Sequence, residues 1–164
     1  RKRVTALVYA VEKSNWRMVA SLLLSGTDPK VHIQGNSILY YAYYVAQVDY
    51  FSDFFQTLLQ CERLLDAQDK DGFTILMRAS ELGDAALLRY LISNRAKVNQ
   101  TNELTKATAL IYACRNGHKK CAELLLNAGA DPNTIEQNEK KFIVSTPLIN
   151  AAKSGSLDIV HMLL

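Results

Sequence analysis

Three side chains stand where a metal could be held: Cys114, His118 and Cys121 form C-x3-H-x2-C. Thiolate and imidazole are ligands that zinc prefers, and a structural zinc site takes four of them. No fourth ligand stands at a matching spacing, and free cysteine is often buried as a small hydrophobe. The set therefore reads as core, and no metal is expected. Asp66, Asp69 and Asp71 crowd one short stretch. A calcium loop is similarly dense in acidic ligands, but it closes on a Glu that does not follow here at that spacing. Turn chemistry, in which Asp bonds its own backbone, accounts for the run. Hydrolytic and nucleotide-binding signatures are missing: there is no G-x-S-x-G, no G-x-x-x-x-G-K-[ST] and no H-E-x-x-H. His32, His118 and His161 are dispersed along the chain. No catalytic residue and no cofactor is expected, so the chain reads as a non-enzyme.

The remaining chemistry is aromatic and cationic. Tyr40, Tyr41, Tyr43, Tyr44, Tyr50, Phe51, Phe54 and Phe55 fall within 16 residues. Phe51, Phe54 and Phe55 read as the buried face of a helix. The tyrosines carry both area and a hydroxyl, and they need a scaffold before a role can be assigned. Arg1-Lys2-Arg3 and Lys140-Lys141 are short basic clusters. Such runs are usually solvated, though one could edge a nuclear targeting signal.

The scaffold is bounded by composition. The chain has 164 residues, a formal charge of +3, 49% hydrophobic and 21% charged residues. That is ordinary globular composition, and the charge is too small to point to nucleic acid. No apolar run reaches the ~18 residues of a membrane span, and the N-terminus lacks a signal peptide's pattern. Reduced thiols, in the cytoplasm or nucleus, are the expectation. Only seven Gly and three Pro serve the whole chain, too few for an all-β fold with its many turns.

Thr5, Ser37, Thr74, Thr108 and Thr146 open five similar segments. Two residues on, each has Leu (Leu7, Leu39, Leu76, Leu110, Leu148). Five residues on, each has Ala (Ala10, Ala42, Ala79, Ala113, Ala151). Nine residues on come Ser14, Ala46, Gly83, Gly117 and Gly155. The hydroxyl can cap a helix, and Leu and Ala three apart share a helical face. The glycines separate two helices, end a second helix, or sit in a turn. Self-similarity at this period marks stacked units, none of which can bury its own apolar face alone.

The segments Thr108-Ala109-Leu110-Ile111-Tyr112-Ala113 and Thr146-Pro147-Leu148-Ile149-Asn150-Ala151 resemble the T-P-L-H-x-A signature of ankyrin repeats. So do Asn116-Gly117-His118 and Leu124-Leu125-Leu126-Asn127-Ala128-Gly129-Ala130-Asp131-Pro132-Asn133. The resemblance runs through the whole chain. It implies an all-α ankyrin-type helical solenoid of about five repeats with short β-hairpin connections. The repeats are expected at approximately 2–33, 34–70, 71–104, 105–142 and 143–164 of a single domain. The last would stop inside its second helix, so a longer parent chain is expected. Two insertions depart from the family pattern. One falls near Ala46-Gln47-Val48-Asp49, where a longer helix or loop is predicted. The other runs from Thr134 to Ser145. It is predicted to lengthen a hairpin whose polar stretch Glu136 to Lys141 projects, while Phe142, Ile143 and Val144 fold back or meet a partner.

In ankyrin-like stacks the offset four residues after the hydroxyl looks toward the concave face. Here it holds Tyr9, Tyr41, Arg78, Tyr112 and Asn150. Seven residues after come Glu12, Tyr44, Glu81, Arg115 and Lys153. Tyr and Arg are favoured at interface hot spots. Tyr9, Tyr41, Tyr44, Arg78, Tyr112, Arg115, Asn150 and Lys153 are therefore the candidate partner-binding residues. Tyr41 and Tyr112 are predicted to be largely exposed, so that alanine at either weakens binding with the fold intact. The resemblance implies non-catalytic recognition of a protein or peptide across the groove. The alternatives are a regulatory or targeting module of a larger enzyme, channel or effector, and nucleotide or RNA recognition by the Tyr and Arg groups. The modest charge and scattered cations count against the last.

Overall fold

The computed structural model describes residues 6–28, 31–45, 58, 62–137 and 142–164. Two compact units emerge, Arg1–Ile75 and Leu76–Leu164. The first holds α1 (Ala6–Glu12), α2 (Trp16–Leu24), α3 (Ile38–Tyr40) and α4 (Glu62–Leu65). Directly after α3 the chain widens into a five-residue π-type turn, Tyr41–Val45. The helix α5 (Ile75–Leu82) opens the second unit, followed by α6 (Ala85–Ser93), α7 (Ala109–Arg115), α8 (Lys119–Asn127), the strands β1 (Glu136–Gln137) and β2 (Ile143–Ser145), then α9 (Pro147–Lys153) and α10 (Leu157–Leu163).

Helices pair within a repeat, α1 with α2, α7 with α8 and α9 with α10. Between repeats like packs on like: α7 on α9, α6 on α8, α8 on α10. This is the layering of a helical solenoid. The repeated positions form its core. Leu7, Leu39, Leu76 and Leu110 are buried, as are Ala10, Ala42, Ala79, Ala113 and Ala151. Leu148 departs from the expected burial and is 37% exposed. It lies on α9, the first helix of the fifth repeat.

Helix ends explain the glycines. The amides of Asn15, Asp84, His118 and Ser156 donate back five residues to the carbonyls of Ala10, Ala79, Ala113 and Ala151. The repeated alanine is thus also the carbonyl that closes its helix. Thr27, Ala96 and Ala130 do the same to Leu22, Leu91 and Leu125 at the second helices. That closure forces the residue just before the donor into the left-handed region. Gly83, Gly117, Gly155, Gly26 and Gly129 fill it, but Ser14 (φ 51°) and Arg95 (φ 66°) occupy it as well. A side chain there is strained by about 1–2 kcal/mol, partly offset by glycine's greater loss of freedom on folding. Ser14→Gly and Arg95→Gly are each expected to raise stability by about 0.5–1 kcal/mol. Denaturant midpoints check this; a lower midpoint in either variant would show that the side chain contributes more than its strain removes.

Capping follows the hydroxyl pattern in part. Ser37 accepts from the Tyr40 amide and Thr146 from the Ile149 amide, both at 3.3 Å. Thr108 does not cap α7; its hydroxyl meets that of Thr134 at 3.2 Å. The expectation of a cap at every repeat hydroxyl fails there because the inserted segment supplies a competing partner. The second helices start on Asn15 and Asp84, which accept from Met18 and Leu87.

The insertion after Asn133 forms a hairpin, with Glu136 opposite Ser145 and Gln137 opposite Ile143 across a bulge. The Gln137 amide also donates to the Thr105 carbonyl at 2.8 Å, which ties this hairpin to the preceding turn. Glu136 and Gln137 belong to a paired strand rather than to a projecting polar stretch. Of the two outcomes expected for Phe142, folding back or meeting a partner, its 66% exposure leaves the second. Positions 46–57 and 138–141, with Arg1–Thr5, lie outside the described residues. The expected first insertion, the Phe51, Phe54 and Phe55 face and both basic clusters fall there.

Candidate partner-binding surface

A backbone turn sets the first part of the site. Asp69 Oδ1 accepts from the amides of Asp71 and Phe73, each at 2.9 Å. One repeat later Asn102 Oδ1 accepts from Leu104 (2.8 Å) and Thr105 (3.1 Å). The acidic run is therefore turn chemistry, at least at Asp69. Among the described residues no group of three His, Cys, Asp or Glu is placed to hold a metal ion.

Asn102 does a second job that Asp69 could not. Its Nδ2 donates to the Tyr112 hydroxyl at 3.2 Å, and Thr105 Oγ1 approaches the same hydroxyl at 3.5 Å. The Arg115 guanidinium lies 5.3 Å from the Tyr112 ring centroid, within cation–π range. Arg115 also donates to Glu136 Oε1 on β1. Tyr112 is consequently only 3% exposed, and burial pushes its phenol above the usual value. Asn150, at the equivalent offset on α9, is 4% exposed. The predicted exposure of Tyr112 is thus overturned. The inserted hairpin brings Glu136 against Arg115, and together they roof the tyrosine.

The other candidates lie as follows. In the first unit Tyr9 is 56% exposed, with Lys13 Nζ 5.8 Å above its ring. Tyr41, predicted to be open, is half-buried, as is Tyr44. The Tyr44 ring meets Tyr40 at 4.9 Å and Tyr43 edge-on at 4.8 Å. In the second unit Arg78 is half-buried and pairs with Glu81 at 3.0 Å, while Arg115 and Lys153 are exposed. The structure joins Tyr112 to Arg115 and adds Asn102, Thr105 and Glu136, which sequence reasoning missed. Nothing in the repeat register marks Glu136, because it sits in the insertion.

In the turn between α7 and α8, Asn116 Nδ2 (2.8 Å) and His118 Nε2 (3.0 Å) both donate to the Glu81 carbonyl. His118 thus carries its proton on Nε2 and joins one repeat to the next; it does not face Cys114 or Cys121 as a ligand. Burial pushes the Cys114 thiol up to about 12 and, helped by Asp84, the Cys121 thiol up to about 11. Their folded pKa values exceed the unfolded one. The stabilising preference for the thiol form is therefore complete below about pH 8.5 and is lost as pH rises toward 11–12. Native protein at pH 8 is expected to leave both thiols unalkylated by iodoacetamide, and unfolding should release them. Modification of either in the folded state would show its repeat opening locally.

The chain's likenesses to known proteins fit this architecture. A family model described as ankyrin repeats (3 copies) matches residues 43–136 and again 103–164. The mouse protein named Ankyrin repeat, SAM and basic leucine zipper domain-containing protein 1 is 36% identical over 101 residues, covering 58% of this chain and 20% of the relative. The human protein of that name is 34% identical over 110 residues, 64% of this chain and 22% of the relative. The chain therefore spans about a fifth of the length of these relatives. With the matched family covering most of its length and the helix register, closures and layering all present, the chain belongs to the ankyrin repeat family.

Proposed function

We propose that the chain is a non-catalytic recognition module that binds a protein or peptide segment through the side chains at the two outward offsets of its first helices. The observation that supports this most is the division of labour within α1 and α7. Leu and Ala at fixed offsets are sealed in the core, whereas Tyr9 and Arg115 on the same helices remain exposed. A rigid support with exposed Tyr and Arg loses little entropy when a partner docks. In the second unit the surface comprises Arg78, Arg115 and Lys153, with Tyr112 and Asn150 beneath it. Tyr9, Tyr41 and Tyr44 are the corresponding groups of the first unit.

A regulatory or targeting module within a larger protein is a compatible reading, supported by the small share of its relatives that the chain spans. No helix among the described residues is long and apolar enough to cross a membrane.

The test is capture of a partner by the chain, followed by titration against Tyr9→Ala, Arg78→Ala and Arg115→Ala. A central hot spot is worth ≥ 2 kcal/mol, or roughly 30-fold in affinity. Lys119→Ala is the control. Lys119 forms an exposed pair with Asp158 at 3.0 Å, and such pairs contribute about 0–1 kcal/mol. Loss of binding in Lys119→Ala alone would move the recognition surface to the second helices. A steep fall of affinity with salt would favour nucleic acid instead.

A further inference from the structure

The Arg115 guanidinium already holds a carboxylate, and that carboxylate comes from the inserted hairpin. Glu136 is the acceptor. Its side chain is 9% exposed, against 41% for Arg115. Two further bonds tie the hairpin to the chain before it, and both are polar. The Gln137 amide donates to the Thr105 carbonyl, and the Thr134 hydroxyl meets that of Thr108. Ile135 and Phe142 add little to this hold, since both are exposed. An element held by polar bonds, with large apolar groups in solvent, opens more readily than one sealed by burial.

Beneath Glu136 lies the recognition surface of α7. The Tyr112 ring is 5.3 Å from the Arg115 guanidinium and is sealed. Burial pushes its phenol up, and the nearby Glu136 carboxylate adds to that push. Resting on the recognition reading above, we propose that Glu136 is an internal stand-in for the partner. The binding segment presents an Asp or Glu carboxylate that replaces Glu136 on Arg115 and lifts the hairpin from Tyr112.

The chemistry selects a carboxylate. Exchange of one carboxylate for another keeps the guanidinium paired through the same charge-assisted bonds. A neutral segment would leave Arg115 without its anion, and a cationic one would repel it. The released Glu136 passes from a nearly closed site into water, where its charge is solvated without penalty. The uncovered Tyr112 then offers the partner a ring and a hydroxyl, the combination favoured at hot spots. Because the hairpin must first open, the apparent affinity is the intrinsic affinity reduced by the fraction of open chains.

The experiment selects short peptides from a random displayed library on the whole 164-residue chain carrying Glu136→Ala, then titrates the best binder. That peptide is expected to contain an Asp or Glu whose change to Asn or Gln weakens binding roughly tenfold or more. Wild type should bind it about tenfold more weakly than Glu136→Ala does, since the charge-assisted bond keeps the hairpin shut. Glu136→Gln, which keeps the shape and removes the charge, should fall between them. Arg115→Ala should abolish the dependence on the peptide's acid. Circular dichroism confirms the fold of each variant. Hydrogen exchange on wild type at saturating peptide supplies the second readout: the Gln137 amide should exchange faster, because its bond to Thr105 is lost as the hairpin lifts. A gain of affinity in Glu136→Ala without faster Gln137 exchange in wild type would mean that Glu136 merely repels the peptide, and would overturn the exchange. Peptides that need Arg115 but bind wild type and Glu136→Ala equally would overturn it as well and leave the recognition reading standing. Peptides indifferent to Tyr9, Arg78 and Arg115, or no binder at all, would count against both.

Discussion

Replacing Tyr112 by alanine is expected to lower the unfolding free energy by about 3–5 kcal/mol, the range for removing a buried aromatic ring. Tyr112 is among the most enclosed aromatic side chains described. The ring fills the space beneath Arg115, and its hydroxyl accepts from Asn102. Tyr112→Phe separates the two contributions. It keeps the ring and leaves the buried Asn102 Nδ2 without this acceptor, a loss of about 1–3 kcal/mol. Chemical denaturation of the two variants beside wild type provides the measurement. A loss below 1 kcal/mol for Tyr112→Ala would mean the ring is not packed as described. The expectation also governs how binding data are read. A loss of partner affinity in Tyr112→Ala would report disorder of the scaffold, so Arg115→Ala and Tyr9→Ala are the informative substitutions for recognition.

Gly83→Ala is expected to cost about 2–3 kcal/mol, and Gly117→Ala only about 1. Both glycines close a first helix with positive φ, 76° and 68°, so the backbone strain is shared. The difference lies in the neighbours. A methyl group at Gly83 would stand 2.8 Å from the His118 ring. That ring is pinned by its bond to the Glu81 carbonyl and cannot retreat without losing the link between two repeats. At Gly117 the nearest atoms belong to Ser154 at 3.8 Å, ordinary van der Waals contact. Thermal or denaturant midpoints of the pair check the order. Equal losses would show that His118 yields freely, and the Glu81–His118 bond would then contribute little.

The repeat architecture could be read from the sequence because it follows from local rules. The Leu and Ala offsets name a helical face, and that face is buried in four repeats at Leu and in five at Ala. Glycine nine residues after the hydroxyl marks a left-handed closure that few other residues tolerate, and Gly83, Gly117 and Gly155 adopt it. Ser14 and Arg95 show the limit of that rule. The closing hydrogen bonds impose the conformation, whether or not the residue favours it.

The surface was less legible because it depends on groups distant in sequence. The offset rule assigned Tyr112 and Arg115 to one face, but it could not tell that Glu136, 21 residues beyond Arg115, would pair with the guanidinium and enclose the ring. It gave no sign that Thr108 would bond Thr134 in place of capping its own helix. Both differences come from the inserted hairpin, whose position relative to α7 is fixed by strand pairing and by the Gln137–Thr105 bond. Periodicity along one helix determines which residues face a common side. Whether that side is open or roofed depends on what the tertiary structure lays across it, since burial and unsatisfied hydrogen-bonding capacity are properties of the assembled neighbours and not of the residue.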